Sequence, residues 1–146
     1  MVVRTAEARW LGDVKTGVGK IKLGSESDDG AYSPDLRFKG APGSNEEEIV
    51  GASQASCFNM ALAKSLEKEG FAVQAIDTVA SVSIDTIGQR NRISSIQLDT
   101  EVMVVPHIDD VILREQAELA NHHCPASGAI TGIEVSVRSR RMLMSA

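Results

Sequence analysis

Residues 44–70 constrain the fold more than any other part of this chain. Ser44 or Asn45 can cap a helix, and Glu46, Glu47 and Glu48 then load its first turn with negative charge, which the helix dipole favours. Ile49, Val50, Ala52, Ala55, Phe58, Met60, Ala61, Leu62 and Leu66 follow, spread over more than one helical face. Such a helix is expected to be largely buried until its polar end, Lys64 to Glu69, with Gly70 as the stop.

The flanking stretches alternate apolar and polar residues, as half-buried strands do. Ala8 to Leu11 leads into a Gly12-Asp13 turn, and Gly17 to Leu23 reads as a second strand. The segment from Ser25 to Ser33 is a loop, Leu36-Arg37-Phe38 a short alternating piece, and Gly40 to Asn45 a breaker cluster. After the helix come two long alternating runs, Ala72 to Asp85 and Ile93 to Val104. The loop from Thr86 to Arg92, containing Gly88, makes an antiparallel hairpin their simplest connection. Pro106 ends the second run. Asp109-Asp110 opens a second helix that ends near His122, and a last strand runs from Ile130 to Val137. Strands, buried helix, hairpin, helix and strand predict an α+β domain with an antiparallel sheet around a central helix, not a βαβ array. At 146 residues, a single domain over 1–146 is expected, long enough to form a core without disulfides.

Composition excludes several classes. Net charge is −5, whereas nucleic-acid binding needs a basic face to release counterions. The short run Arg138, Arg140, Arg141 reads as a solvated strand end. Aromatic residues are 3% of the chain, so the core must be aliphatic. No apolar run approaches the roughly 18 residues of a membrane span. The N-terminus is too short and too polar for an export signal. A cytoplasmic location is expected, where cysteines are more often free or redox-active than structural.

The chain has two cysteines, Cys57 in the Ala-rich helix and Cys124 in His122-His123-Cys124-Pro125, 67 positions apart. The plain reading of Cys57 is a small core residue. The chemical reading is a nucleophile. A thiol attacks peroxide only as the thiolate, and burial alone would raise its pKa, so a positive partner is required. Arg37, between Leu36 and Phe38, can donate to a thiolate and to a peroxide oxygen together. It needs an acceptor of its own, which the Glu46–Glu48 cluster offers. Arg37 as an ordinary strand residue and the Glu cluster as simple first-turn charge remain the plain alternatives. Adjacent His122 and His123 point in different directions on a helix, and the remaining histidine is His107, which disfavours a metal site.

Four segments resemble the OsmC/Ohr family of thiol-dependent hydroperoxide peroxidases, and its osmotically inducible OsmC branch in particular. They are Trp10-Leu11-Gly12-Asp13 with Gly17-Val18-Gly19, Leu36-Arg37-Phe38-x-Gly40, Asn45 to Ala52 continuing through Ala55-Ser56-Cys57-Phe58, and Cys124-Pro125. The resemblance spans nearly the whole chain, and its two cysteine motifs are the specific part. It implies an intertwined homodimer with sites at the interface. It also implies that Cys57 is the peroxidatic thiol, Cys124 the resolving thiol, and Arg37 with Glu47 the charged pair at the thiolate. Two positions depart from the family pattern. Glu46 replaces a proline, so Glu48 competes with Glu47 as acceptor, and Gln54 stands where that branch often has histidine, facing pocket or interface.

The implied activity is reduction of organic hydroperoxides to alcohols, through a Cys57 sulfenic acid and a Cys57–Cys124 disulfide. An external dithiol, of lipoyl type by the resemblance, regenerates it, with no metal, haem or flavin. An apolar pocket near Phe38, Phe58 and Met60 would favour alkyl substrates. A redox-sensing protein or an apolar-ligand-binding dimer on the same fold are the alternatives. One geometric point bears on the site. Ten helical steps from Glu47 to Cys57 span roughly 15 Å, further than a Glu side chain reaches. Either the helix breaks near Gly51, or Glu47 serves the Cys57 of a second subunit, which is the favoured option.

Overall fold

The chain was analysed as a computed structural model, which describes residues 2–23, 46–124 and 133–142. Its elements in chain order are β1 (Val2–Leu11), β2 (Val18–Leu23), α1 (Glu46–Lys68), β3 (Ala72–Ile87), β4 (Arg90–Val105), α2 (Asp110–His123) and β5 (Glu134–Arg141). The segment around Leu36-Arg37-Phe38 and the proposed cap residues Ser44 and Asn45 lie outside the described residues.

The long helix starts at Glu46 and ends where Gly70 predicts. Gly70 sits at φ 93, where side chains are disfavoured, so the chain can turn there. Phe71 N–H donates to Leu66 C=O and Gly70 N–H to Glu67 C=O, both at 3.0 Å, which completes a Schellman motif. Strand β3 begins one residue later. Its hairpin with β4 is tighter than expected: Ile87 pairs with Arg90, leaving Gly88 (φ 64) and Gln89 as the turn. Asp109 caps α2 by accepting from Val111 N–H at 2.7 Å.

The five strands form one sheet in the order β2-β1-β3-β4-β5. Three pairings are antiparallel, but β4 and β5 are parallel, with Ser95 opposite Glu134 and Val102 opposite Arg141. The sheet is therefore mixed, which corrects the all-antiparallel expectation. The cause is α2: it carries the chain back along β4, so β4-α2-β5 is a single βαβ unit. Strand β5 also continues through the arginines to Arg141. On the exposed face, Arg138 bonds Asp99 and Arg140 bonds Glu101.

The core lies between the sheet and the two helices, with Phe58, Leu62, Leu66, Ile76, Ile96, Leu98 and Leu113 fully buried. Helix α1 turns Gly51, Ala52, Ala55, Phe58, Asn59, Leu62 and Leu66 inward, the i, i+3, i+4 pattern of a single face. Its approach is close because the facing residues are small. A Cβ on Gly51 would lie 3.1 Å from Val82 Cγ2 and 3.5 Å from Ala80 Cβ. The opposite face is not covered: Ile49 is 59% exposed and Met60 52%. Burial on more than one face was expected, and within the described residues α1 has one buried face.

The Trp10-Gly-Asp hairpin is structural. Trp10 Nε1 donates to Gly12 C=O at 2.9 Å, and Asp13 Oδ1 accepts from Thr16 N–H and Oγ1 at 2.7 and 2.8 Å. Those bonds hold the Asp13 carboxyl below the ordinary aspartate range, the Thr16 backbone N–H being the main cause. A Cβ on Gly17 would lie 2.4 Å from Asp13 O, so only glycine fits. Glu67 Oε1 accepts from Val14 N–H at 3.0 Å, tying the turn to the end of α1.

Candidate functional site

Cys57 lies on the boundary between the two faces of α1. One turn away, Gln54 is fully buried, while Ser53 and Met60 are exposed and Ala61 is intermediate. The thiol is partly buried, and neither cysteine is in a disulfide. Partial exposure leaves the thiol reachable, which is one condition for reactivity. Phe58, one residue on, points the other way and is fully buried in the core. Met60 does neighbour Cys57. Phe38 lies outside the described residues.

Cys124 occupies the C-cap of α2 and is 1% exposed. Topology places it relative to Cys57. Gly51 meets Ala80 and Val82, Asn59 meets Thr78, and α1 ends where β3 starts, so α1 runs antiparallel to β3 and parallel to β4. Helix α2 returns along β4, so the two helices are antiparallel. Ser65 Oγ donates to Gln116 Oε1 between them and sets their level. Cys57 is eight residues before Ser65 and Cys124 eight after Gln116. Antiparallel helices carry both thiols about 12 Å from that bond in the same direction. The two cysteines thus sit at one level of adjoining helices.

The charged pair is not assembled around Cys57 within the described residues. Arg37 lies outside them. Glu47 and Glu48 are in the first turn of α1 and almost wholly buried, at 1% and 2% exposure. Helix α1 is unbroken from Glu46 to Lys68, straight through Gly51. The helix break that would have brought Glu47 to Cys57 is absent, and the roughly 15 Å separation stands.

A buried polar chain behind Cys57 was not read from the sequence. Asn59 Nδ2 donates to Ala8 C=O of β1 at 3.0 Å. Thr78 Oγ1 of β3 donates to Asn59 Oδ1 at 2.5 Å and bonds Thr100 Oγ1 of β4 at 2.9 Å. The available signal was a polar residue on an apolar face: Asn59 within an Ala-rich helix, and Thr78 alternating with Ile76 and Ala80. His122 and His123 are exposed with their rings edge-to-face at 5.4 Å. Arg141 donates to His107 at the other end of α2.

Residues 39–138 match the family described as OsmC-like protein. The chain belongs to the OsmC-like family. It is 38% identical over 125 residues to Peroxiredoxin OsmC of Escherichia coli (strain K12), covering 85% of this chain and 87% of that one. The same figures hold for Peroxiredoxin OsmC of Shigella flexneri. These matches place it on the OsmC branch. Solved structures share the fold at lower identity. The organic hydroperoxide resistance protein OhrB of Bacillus subtilis superposes with TM-score 0.62 at 22% identity, covering 92% of this chain and 97% of that one. An OsmC-like protein of unknown function from Vibrio cholerae gives TM-score 0.63 at 14% identity, covering 86% and 80%. No helix among the described residues is long and apolar enough to cross a membrane.

Proposed function

We propose that this OsmC-like protein is a cysteine-based peroxidase that reduces organic hydroperoxides to alcohols. The observation that carries the reading is the placement of the two thiols. Cys57 is partly exposed on a boundary of α1, and Cys124 is sheltered at the same level of the neighbouring helix. The Cys57 thiolate attacks the terminal oxygen of R–O–OH. The O–O bond breaks, the RO⁻ group leaves and takes a proton to become the alcohol, and Cys57 becomes a sulfenic acid. The Cys124 thiol then attacks that sulfur, water leaves, and a Cys57–Cys124 disulfide forms. An external dithiol of lipoyl type reduces the disulfide by exchange and is itself oxidised. No bound metal or cofactor takes part.

Arg37 stabilises the thiolate and the charge developing on the departing oxygen, with Glu47 holding the guanidinium. Continuity of α1 supports Glu47 acting on the Cys57 of a second copy. The exposed apolar outer face of α1, with Met60 one turn from Cys57 and Ile49 about two turns away, supports both a homodimer and a preference for alkyl over hydrogen peroxide. The whole chain acts as one cytoplasmic domain in this reading.

Mass spectrometry of the reduced protein after one equivalent of cumene hydroperoxide tests it. A loss of about two mass units, mapped to a Cys57–Cys124 crosslink and slower with hydrogen peroxide, is expected. Unchanged mass with both thiols intact would overturn the reading. Mixing Glu47→Gln with Cys57→Ser subunits checks the pairing. Regained activity is expected, because one site of the mixed dimer keeps both groups. No gain would mean that Glu47 does not act on the Cys57 of a second copy.

A further inference from the structure

We infer that Asn59 is a positioning residue for Cys57, acting through its buried hydrogen bonds to β1 and β3 and, by way of Thr78, to β4; this rests on the function proposed above. Residues 57 and 59 are two steps apart, about 200° around the helix, so Asn59 grips the sheet from directly behind the thiol. Its amide donates to Ala8 C=O on β1 and accepts from Thr78 on β3, which bonds Thr100 on β4. Asn59, Thr78 and Thr100 are each at most 2% exposed. One side chain therefore fixes α1 against two strands at a single level, and Thr78 ties in the third.

The apolar contacts nearby do not fix that level equally well. Where α1 meets β1 and β3, the contact surface is mostly small: Ala6 and Ala80, with Val82 the larger side chain, under Gly51, and Ala52 and Ala55 on the helix. Such surfaces favour contact but offer few knobs to resist sliding. Hydrogen bonds are directional and fail within a few tenths of an ångström, and a fully satisfied buried network defines one arrangement. The position of α1 matters doubly in the proposed dimer. Cys57 and Glu47 ride on the same unbroken helix. Across a two-fold axis that crosses the helices, a slide along the helix moves the thiol one way and the second copy's carboxylate the other. The network thus controls the distance between the thiolate and its charged partners, and with it thiol reactivity.

The test follows iodoacetamide alkylation of Cys57 against pH in a Cys124→Ser background. Turnover of cumene hydroperoxide with excess dithiothreitol is measured in the background that keeps Cys124. Asn59→Leu and Thr78→Val are expected to move the alkylation midpoint to higher pH. They should also lower kcat about tenfold or more with KM little changed. Thr78→Ser, which keeps the hydroxyl, is expected to restore both. If a single variant fails to fold, Asn59→Leu/Thr78→Val/Thr100→Val replaces all three side chains of the network by apolar groups of similar shape and gives the same readouts. A folded variant lacking the network but keeping the parent alkylation profile and kcat would overturn the inference. Peroxide turnover that survives Cys57→Ser would overturn the proposed function instead, and the alkylation profile would then decide the role of Asn59 alone.

Discussion

The two faces of α1 are made by the same 23 residues and answer to different constraints. The inward face is settled by the chain's own sheet. Phe58, Leu62 and Leu66 fill the core, Gly51 allows close approach, and Asn59 makes the directional bonds. The outward side carries the partly buried thiol together with exposed Ile49 and Met60. Inward, any change of volume should be felt as stability. Outward, change should be felt as chemistry or association. Adjacent residues Cys57 and Phe58 fall on opposite sides of that division.

The strongest way to break this comparison is to exchange the expected effects of those two neighbours. Cys57→Ser is expected to lower peroxide turnover by a factor on the order of 10³ or more. It should shift unfolding stability by no more than about 1 kcal/mol. Steady-state kinetics and urea denaturation on one preparation check both halves. Phe58→Ala is expected to behave oppositely. Removing a fully buried ring should cost about 3–5 kcal/mol, seen as a lower urea midpoint, with the remaining folded fraction still forming a sulfenic acid. A Phe58→Ala protein of parent stability would mean the inward face is not the core. Gly51→Val sharpens the comparison at the closest helix–sheet contact. Its Cβ would meet Val82 Cγ2 at 3.1 Å, and overpacking of this kind costs about 1–3 kcal/mol. Thermal unfolding measures it.

The smallest effect belongs to the far face of the sheet, where pairs of opposite charge are solvated. Arg138 Nε bonds Asp99 at 2.6 Å, but the arginine is 74% exposed. That bond is the main cause holding the Asp99 carboxyl below its ordinary range. A lowered folded-state pKa stabilises the protein above the unfolded aspartate pKa, near 3.9. That contribution is lost as pH falls through the folded value. Arg138→Ala is therefore expected to cost little at neutral pH, as solvated ion pairs do. The difference from the parent should vanish in acid and shrink with added salt, which urea titrations at several pH values would show.

Much of the scaffold is legible in the residues because local rules govern it. Asp109 caps α2, Gly70 ends α1, and alternation marks β3 and β4, each through short-range chemistry. Strand direction is not local. The run ending in Val135, Ser136 and Val137 alternates identically whether it lies parallel or antiparallel to β4, and only the return path of α2 decides. The continuation of β5 through Arg138–Arg141 was hidden because charged residues usually mark a strand's end; here Asp99, Glu101 and Asp110 receive them. Ile49 and Met60 carry the same apolar code as Phe58. Sequence pattern says that such residues seek cover, not that the cover lies within the chain. The Asn59 chain was missed for a related reason. Polar residues register as interruptions of an apolar pattern until their partners, up to 51 positions away, are known.

The sheet order has a consequence for how the chain assembles in time. β1 is an early segment of the sequence but not an edge strand; it lies between β2 and β3. Its β2 partner follows within a short turn, whereas Ala6 must wait for Ala80, which is 80 − 6, or 74, residues further on. During synthesis, at about 5–20 residues per second, the first hairpin stands with one side unpaired for several seconds before β3 emerges. Pairings this distant in sequence close slowly because loop entropy opposes them. The alternating charges of β1, Glu7 and Arg9, then serve a second purpose: they keep a waiting strand edge from joining the wrong neighbour.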